Sequence, residues 1–190
     1  MDPNYGYVQS EPQNSGFRFS RKTLFIAGGL ILAIIIGIVL LSGSQKGISV
    51  QAQHLVARYG GLQALLSDKK TTRNLKNQDL NNIVTSLNLS VTTDIQDLNA
   101  ALAGQVPAKL DSSIAAAETD TSTAKTIEEA YLENKLDAVY TDVLIKKIKS
   151  IRALIAETYG LSKDQKLKAT LQELDDHLRK AKQQLEELKL

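Results

Sequence analysis

At 190 residues with no cysteine and a formal net charge of +2, the chain has no disulfide framework and no strongly polyionic character. Hydrophobic residues make up 43% and charged residues 23%, enough apolar material for a core, but aromatics are only 5% and tryptophan is absent. The core must therefore be built from Leu, Ile, Val and Ala, and anchoring through an acylated cysteine is excluded.

Residues 1–23 are rich in Asn, Gln, Ser, Pro and Gly and poor in aliphatics, which predicts a disordered tail. Residues 24–41 read LFIAGGLILAIIIGIVLL, a run without a charge, a proline or a strongly polar side chain. As a helix this run is about 27 Å long, close to the hydrocarbon thickness of a bilayer, and no polar face is written into it. It is expected to be a transmembrane signal anchor. Arg18, Arg21 and Lys22 precede it and only Lys46 and Arg58 follow closely, a bias that places the N-terminus in the cytoplasm and the remainder outside. Small residues at Ser42-Gly43-Ser44 or Val50-Gln51-Ala52 leave open a cleaved, secreted alternative. Within the run Gly29, Ala33 and Gly37 recur every four residues and share one helix face, a candidate homodimer seam in lipid.

Residues 42–47 form a flexible joint, and residues 48–190 are expected to be an extracytoplasmic helical domain. Ile48, Ala52, Leu55, Tyr59, Leu62 and Leu66 alternate by four and three, the spacing of a packed helix seam. Gly60-Gly61 falls inside that helix and predicts a kink or frayed turn there. Residues 67–76 read as a polar loop. The next helix runs from about Asn77 to Ala103 with Leu80, Val84, Leu87, Val91, Ile95, Leu98 and Leu102 on one face, stopped by Gly104, and Pro107 can open the helix after it.

From Pro107 to Tyr159 there is neither a further proline nor a glycine, which permits a very long helix. Asp and Thr around residues 120–123 favour a break, because their side chains compete for backbone hydrogen bonds. Beyond it Leu132, Leu136, Val139, Tyr140, Val143, Leu144, Ile148, Ile151 and Ile155 make a stripe wide enough to face two partners. Gly160 is predicted to end this helix and Ser162 to cap the last one in a Ser-x-x-Gln box with Gln165. Leu167, Leu171, Leu174, Leu178, Ala181, Leu185 and Leu188 then form the final seam. The expected fold class is all-α: a single N-terminal transmembrane helix followed by an elongated antiparallel, coiled-coil-like bundle of three to five helices.

Charge runs in blocks. Residues 79–142 hold 3 Lys/Arg against 11 Asp/Glu, whereas residues 45–78 and 143–190 are net basic. Lys146, Lys147, Lys149 and Arg152 form the sharpest basic patch, a candidate anion or partner surface; no aromatic platform accompanies it, which disfavours nucleic acid. His54 and His177 are the only histidines. Glu173 and His177, four residues apart, read as an exposed helix pair, and Glu128, Glu129 and Glu133 as a solvated face. No phosphate-binding glycine loop, nucleophile motif, metal site or cofactor site is predicted. The expected function is that of a non-catalytic, membrane-anchored structural or protein-interaction module, with a lipid bilayer and an unknown protein as partners; the alternative is a ligand-sensing ectodomain that signals through a partner.

Overall fold

The computed structural model describes residues 48–104 and 111–190. The expected anchor at 24–41, its expected seam of Gly29, Ala33 and Gly37, the expected joint at 42–47 and the expected helix opening at Pro107 lie outside the described residues. Among the described residues no helix is long and apolar enough to cross a membrane. All regular structure among them is helical: α1 (Ile48–Ser67), α2 (Lys69–Thr72), α3 (Gln78–Leu102), α4 (Ser112–Ala117), α5 (Thr121–Leu132), α6 (Leu136–Leu161) and α7 (Gln165–Glu186).

The four long helices α1, α3, α7 and α6 pack in a ring, each touching two neighbours. Gln63 bonds Thr92 and Ser67 bonds Asn88, so α1 and α3 are antiparallel. Arg58 reaches Ser150 and the Tyr140 hydroxyl donates to the Leu65 carbonyl, so α6 is antiparallel to α1 as well. Arg152 with Asp175 and Lys149 with Glu186 align α6 against α7 in the same sense. It follows that α3 and α6 run the same way at opposite corners. The chain must return along the bundle between Leu102 and Leu136, and α4 and α5 make that crossover, α4 lying against α1 and α5 against α6.

The predicted seams are the core. Ala52, Leu55, Tyr59 and Leu62 are fully buried, and so are Leu80, Val91, Tyr140, Leu144, Ile148, Leu167, Leu171 and Leu178. Each buried aliphatic side chain contributes about 1.5–3 kcal/mol, and that sum determines which local preferences are overruled. Helix α1 continues through Gly60-Gly61, so the frayed turn expected there does not form. Two glycines cost about 1 kcal/mol each, less than the burial of Tyr59 and Leu62 on either side returns. The expected loop at 67–76 contains the single turn α2, capped by Asp68.

The long helix that residues 107–159 permit does not form. Asp120 caps α5 by accepting from the backbone amides of Ser122 and Thr123, which places the expected break. A second break, unmarked by Gly or Pro, falls at Asn134, whose φ of 59° is left-handed. The Lys135 amide donates to Ala130 and the Asn134 amide to Tyr131, the two bonds of a Schellman turn with asparagine in the position usually held by glycine. Leu132 therefore ends α5 and is 77% exposed, not part of the α6 stripe. The α6–α7 turn is capped by a different residue from the expected Ser162. Helix α6 continues to Leu161, Ser162 closes it, and the α7 cap is Asp164, whose carboxylate accepts from the amides of Lys166 and Leu167. Ser162 is buried, and its hydroxyl accepts from the Asp164 amide.

Candidate functional site

Two polar constructions stand out against this aliphatic bundle. The first is inside it. On α3 the series 80, 84, 87, 91 continues by the same four-three alternation to 94 and 98, so Asp94 occupies a seam position beside Ile95. The carboxylate is 1% exposed, and its Oδ1 accepts from Nδ1 of His177 on α7 at 2.8 Å. Its Oδ2 is buried without a hydrogen-bond partner, as is the hydroxyl of Tyr59. Burial pushes the Asp94 carboxyl up to about 6, with the charges of Asp97 and Glu173 adding to it and the His177 hydrogen bond opposing it. The Tyr59 hydroxyl is raised above its ordinary range by burial first and then by Asp94 and Asp175. A carboxylate holding an imidazole is an arrangement used in general-base chemistry; here the carboxylate is buried and the imidazole is 35% exposed. Among the described residues no group of three or more His, Cys, Asp or Glu stands ready to hold a metal ion. The sequence reading of Glu173 and His177 as a pair on one exposed face missed Asp94. The signal was a carboxylate at a position where the seam demands an aliphatic.

The second construction fastens the crossover to the bundle. Glu118, at the end of α4, accepts from Nδ1 of His54 at 2.7 Å and from Nε and an Nη of Arg58 at 2.8 and 3.0 Å. Arg58 also donates to the Ser150 hydroxyl on α6 at 2.7 Å, so one guanidinium ties α1, α4 and α6 together. Two residues on, Asp120 accepts from Nζ of Lys147 at 2.8 Å. The Arg58 hydrogen bonds hold the Glu118 carboxyl below its usual range, and Lys147 first, then Thr123 and Ser122, does the same to Asp120. Upstream, the Asp111 amide donates to Gln53 on α1 at 2.8 Å. This is where the charge blocks meet: an acidic crossover lies over the cations of α1 and α6.

The predicted basic patch is divided among these contacts. Lys147 turns to the crossover, Arg152 makes a two-pronged bond to Asp175 on α7, Lys149 lies 3.8 Å from Glu186, and Lys146 is exposed. Beside Arg152 a groove between α6 and α7 is lined by Ala153, Ala156, Tyr159 and Gln172, with Lys168 stacked 4.9 Å over the Tyr159 ring. Glu128, Glu129 and Glu133 are exposed and lie near Lys70, Lys125 and Lys135 respectively.

Set against protein-family models, curated proteins and solved structures, the chain gives no match.

Proposed function

We propose that the chain is a single-pass, membrane-anchored helical protein, non-catalytic, that presents its bundle outside the cytoplasmic membrane to a protein partner. One observation carries this reading: an uninterrupted apolar run of membrane-spanning length, at 24–41, ends six residues before a bundle that closes its own core. The apolar seams of α1, α3, α6 and α7 are turned toward one another in that core. Arg18, Arg21 and Lys22 favour a cytoplasmic N-terminus. Signal cleavage at Val50-Gln51-Ala52 is disfavoured, since it would cut inside α1 beside the buried Ala52. Gly29, Ala33 and Gly37 would pair two copies within the bilayer, and replacing Gly29 and Gly37 by Ile should weaken that pairing in a membrane two-hybrid assay.

Alkaline carbonate extraction tests the anchor. The full chain should stay with the membrane pellet, and deletion of residues 24–41 should release it; a full chain that washes into the supernatant overturns the reading.

A further inference from the structure

We infer that the outer face shared by α1 and α3 is the surface through which the bundles of two copies of this chain meet. The inference extends the pairing proposed above from the span to the bundle, and it rests on the anchored reading only for bringing the copies close.

Charge is spread unevenly round the four-helix ring. With histidine counted neutral, the 26 residues of α6 carry seven formal charges and the 22 of α7 carry nine, whereas the 20 residues of α1 carry one and the 25 of α3 carry three. Those four are Arg58, Asp79, Asp94 and Asp97. Arg58 is bound to Glu118, Asp94 is buried, Asp79 sits in the first turn of α3, and Asp97 lies on the side of Asp94, toward α7. What remains facing outward is uncharged: Ser86, Leu89, Thr93 and Gln96 on α3, with Gly61 and Ala64 on α1, all exposed. Bonds from Gln63 to Thr92 and from Ser67 to Asn88 join the two helices edge to edge, so the face is continuous.

Near its middle stands Leu89, 68% exposed. Among the described residues the other large hydrophobics left exposed are Val50, Tyr131, Leu132, Leu161 and Leu190, and each lies in a first or last helical turn or past the last helix. Leu89 alone is exposed in a helix interior. A large apolar side chain set in a surface depleted of charge is the composition of an interface core.

The same composition identifies the occupant. A partner of unrelated sequence is selected by complementary charge, and this face offers none to read. A second copy related by a two-fold axis sets each residue near the axis against itself, which a charged face resists and an uncharged one permits. From Asn82 to Ala100 the face is about 27 Å long, and two helices are about 20 Å wide. That gives about 540 Å² per copy and about 1,100 Å² in all, just past the ~1,000 Å² that a specific interface needs. Two chains held in one bilayer meet at a raised effective concentration, which lets an interface of this modest size hold.

The test uses the full-length chain in mild detergent with Gly29→Ile/Gly37→Ile in every sample, so that pairing within the span does not contribute. Sedimentation equilibrium reads the dimer dissociation constant, and a short bismaleimide reads proximity through single introduced cysteines, since the chain has none of its own. The protein should dimerise. Leu89→Lys/Thr93→Lys, which sets like charges against each other across the axis, should raise the dissociation constant at least about tenfold with an unchanged circular dichroism spectrum. Lys146→Glu/Lys180→Glu, at exposed positions of α6 and α7, should leave it unchanged. The bismaleimide should join Ala64→Cys or Leu89→Cys chains into dimers but not Lys180→Cys chains. A monomer, a dimer indifferent to the two lysines, or cross-linking at position 180 as strong as at 64 and 89 each overturns the inference. If the chain is a monomer here but a dimer with Gly29 and Gly37 intact, pairing belongs to the span alone. Carbonate extraction is read separately, so loss of the anchor leaves a positive result on this face standing.

Discussion

Replacing Asp94 by Asn should stabilise the bundle at neutral pH, a prediction that follows from placing a carboxylate where the seam requires an aliphatic. Burial raises the Asp94 carboxyl from its ordinary value of 3.8 to about 6 in the folded chain. A folded-state value above the unfolded one means that the native state holds the proton more tightly. The stability associated with that proton is fully present below about pH 4 and is lost as pH rises through 6. The rise of the Asp94 carboxyl from 3.8 to about 6 corresponds to about 3 kcal/mol, a large share of the stability of a domain this size. Asn keeps the shape, remains neutral at every pH and still offers an oxygen to His177. Urea melts followed by circular dichroism, at pH 4 and at pH 7.5, give the difference between wild type and variant, and taking that difference cancels the titration of Glu118, Asp120 and the other carboxylates. The variant should match wild type at pH 4 and exceed it by up to about 3 kcal/mol at pH 7.5. A variant less stable than wild type at pH 7.5, or a difference independent of pH, would refute the claim that burial dominates the Asp94–His177 pair.

Other substitutions probe the bundle. Gly60→Ala and Gly61→Ala should each raise stability by about 0.5–1 kcal/mol, because both sit in continuous helix and a Cβ at either meets nothing within 4 Å; a loss in urea midpoint would reveal a local bend after all. Leu174→Asp, at a position 1% exposed, should cost several kcal/mol, while Gln172→Asp on the outer face should cost little; equal midpoints would contradict the α7 packing. Asp164→Ala should destabilise by about 1 kcal/mol as the true cap of α7, and restoration of the loss by Asp164→Asn, which also caps, separates capping from charge.

What the sequence disclosed best was the set of buried faces. The four-three alternation in α1, α3 and α7 identified Leu55, Leu62, Leu80, Val84, Leu171 and Leu178 because a helix that buries one face must repeat apolar residues at that period. Helix starts were less legible. Asp68, Asn77, Asp111, Asp120 and Asp164 all cap, yet Ser162 offered a rival match to the same motif two residues away and drew the reading to itself. The break at Asn134 was hidden because asparagine adopts the left-handed conformation without announcing it as glycine does. Connectivity was hidden too: periodicity shows that a face is buried, never against which helix. The acidic block at 79–142 between two basic stretches did not disclose which helices it meets; only the Glu118–Arg58 and Asp120–Lys147 bonds show that the crossover lies against α1 and α6.

Single-cysteine labelling tests the central claim, an anchored chain with its bundle outside the cytoplasm, most directly, since the chain has no cysteine of its own to interfere. Ser15→Cys lies before the apolar run, and Ser112→Cys is exposed at the start of α4. On intact cells an impermeant maleimide should label position 112 and leave position 15 unlabelled until the membrane is permeabilised. Labelling at 15 but not at 112 would reverse the orientation, and protection of both until permeabilisation would place the bundle inside the cell.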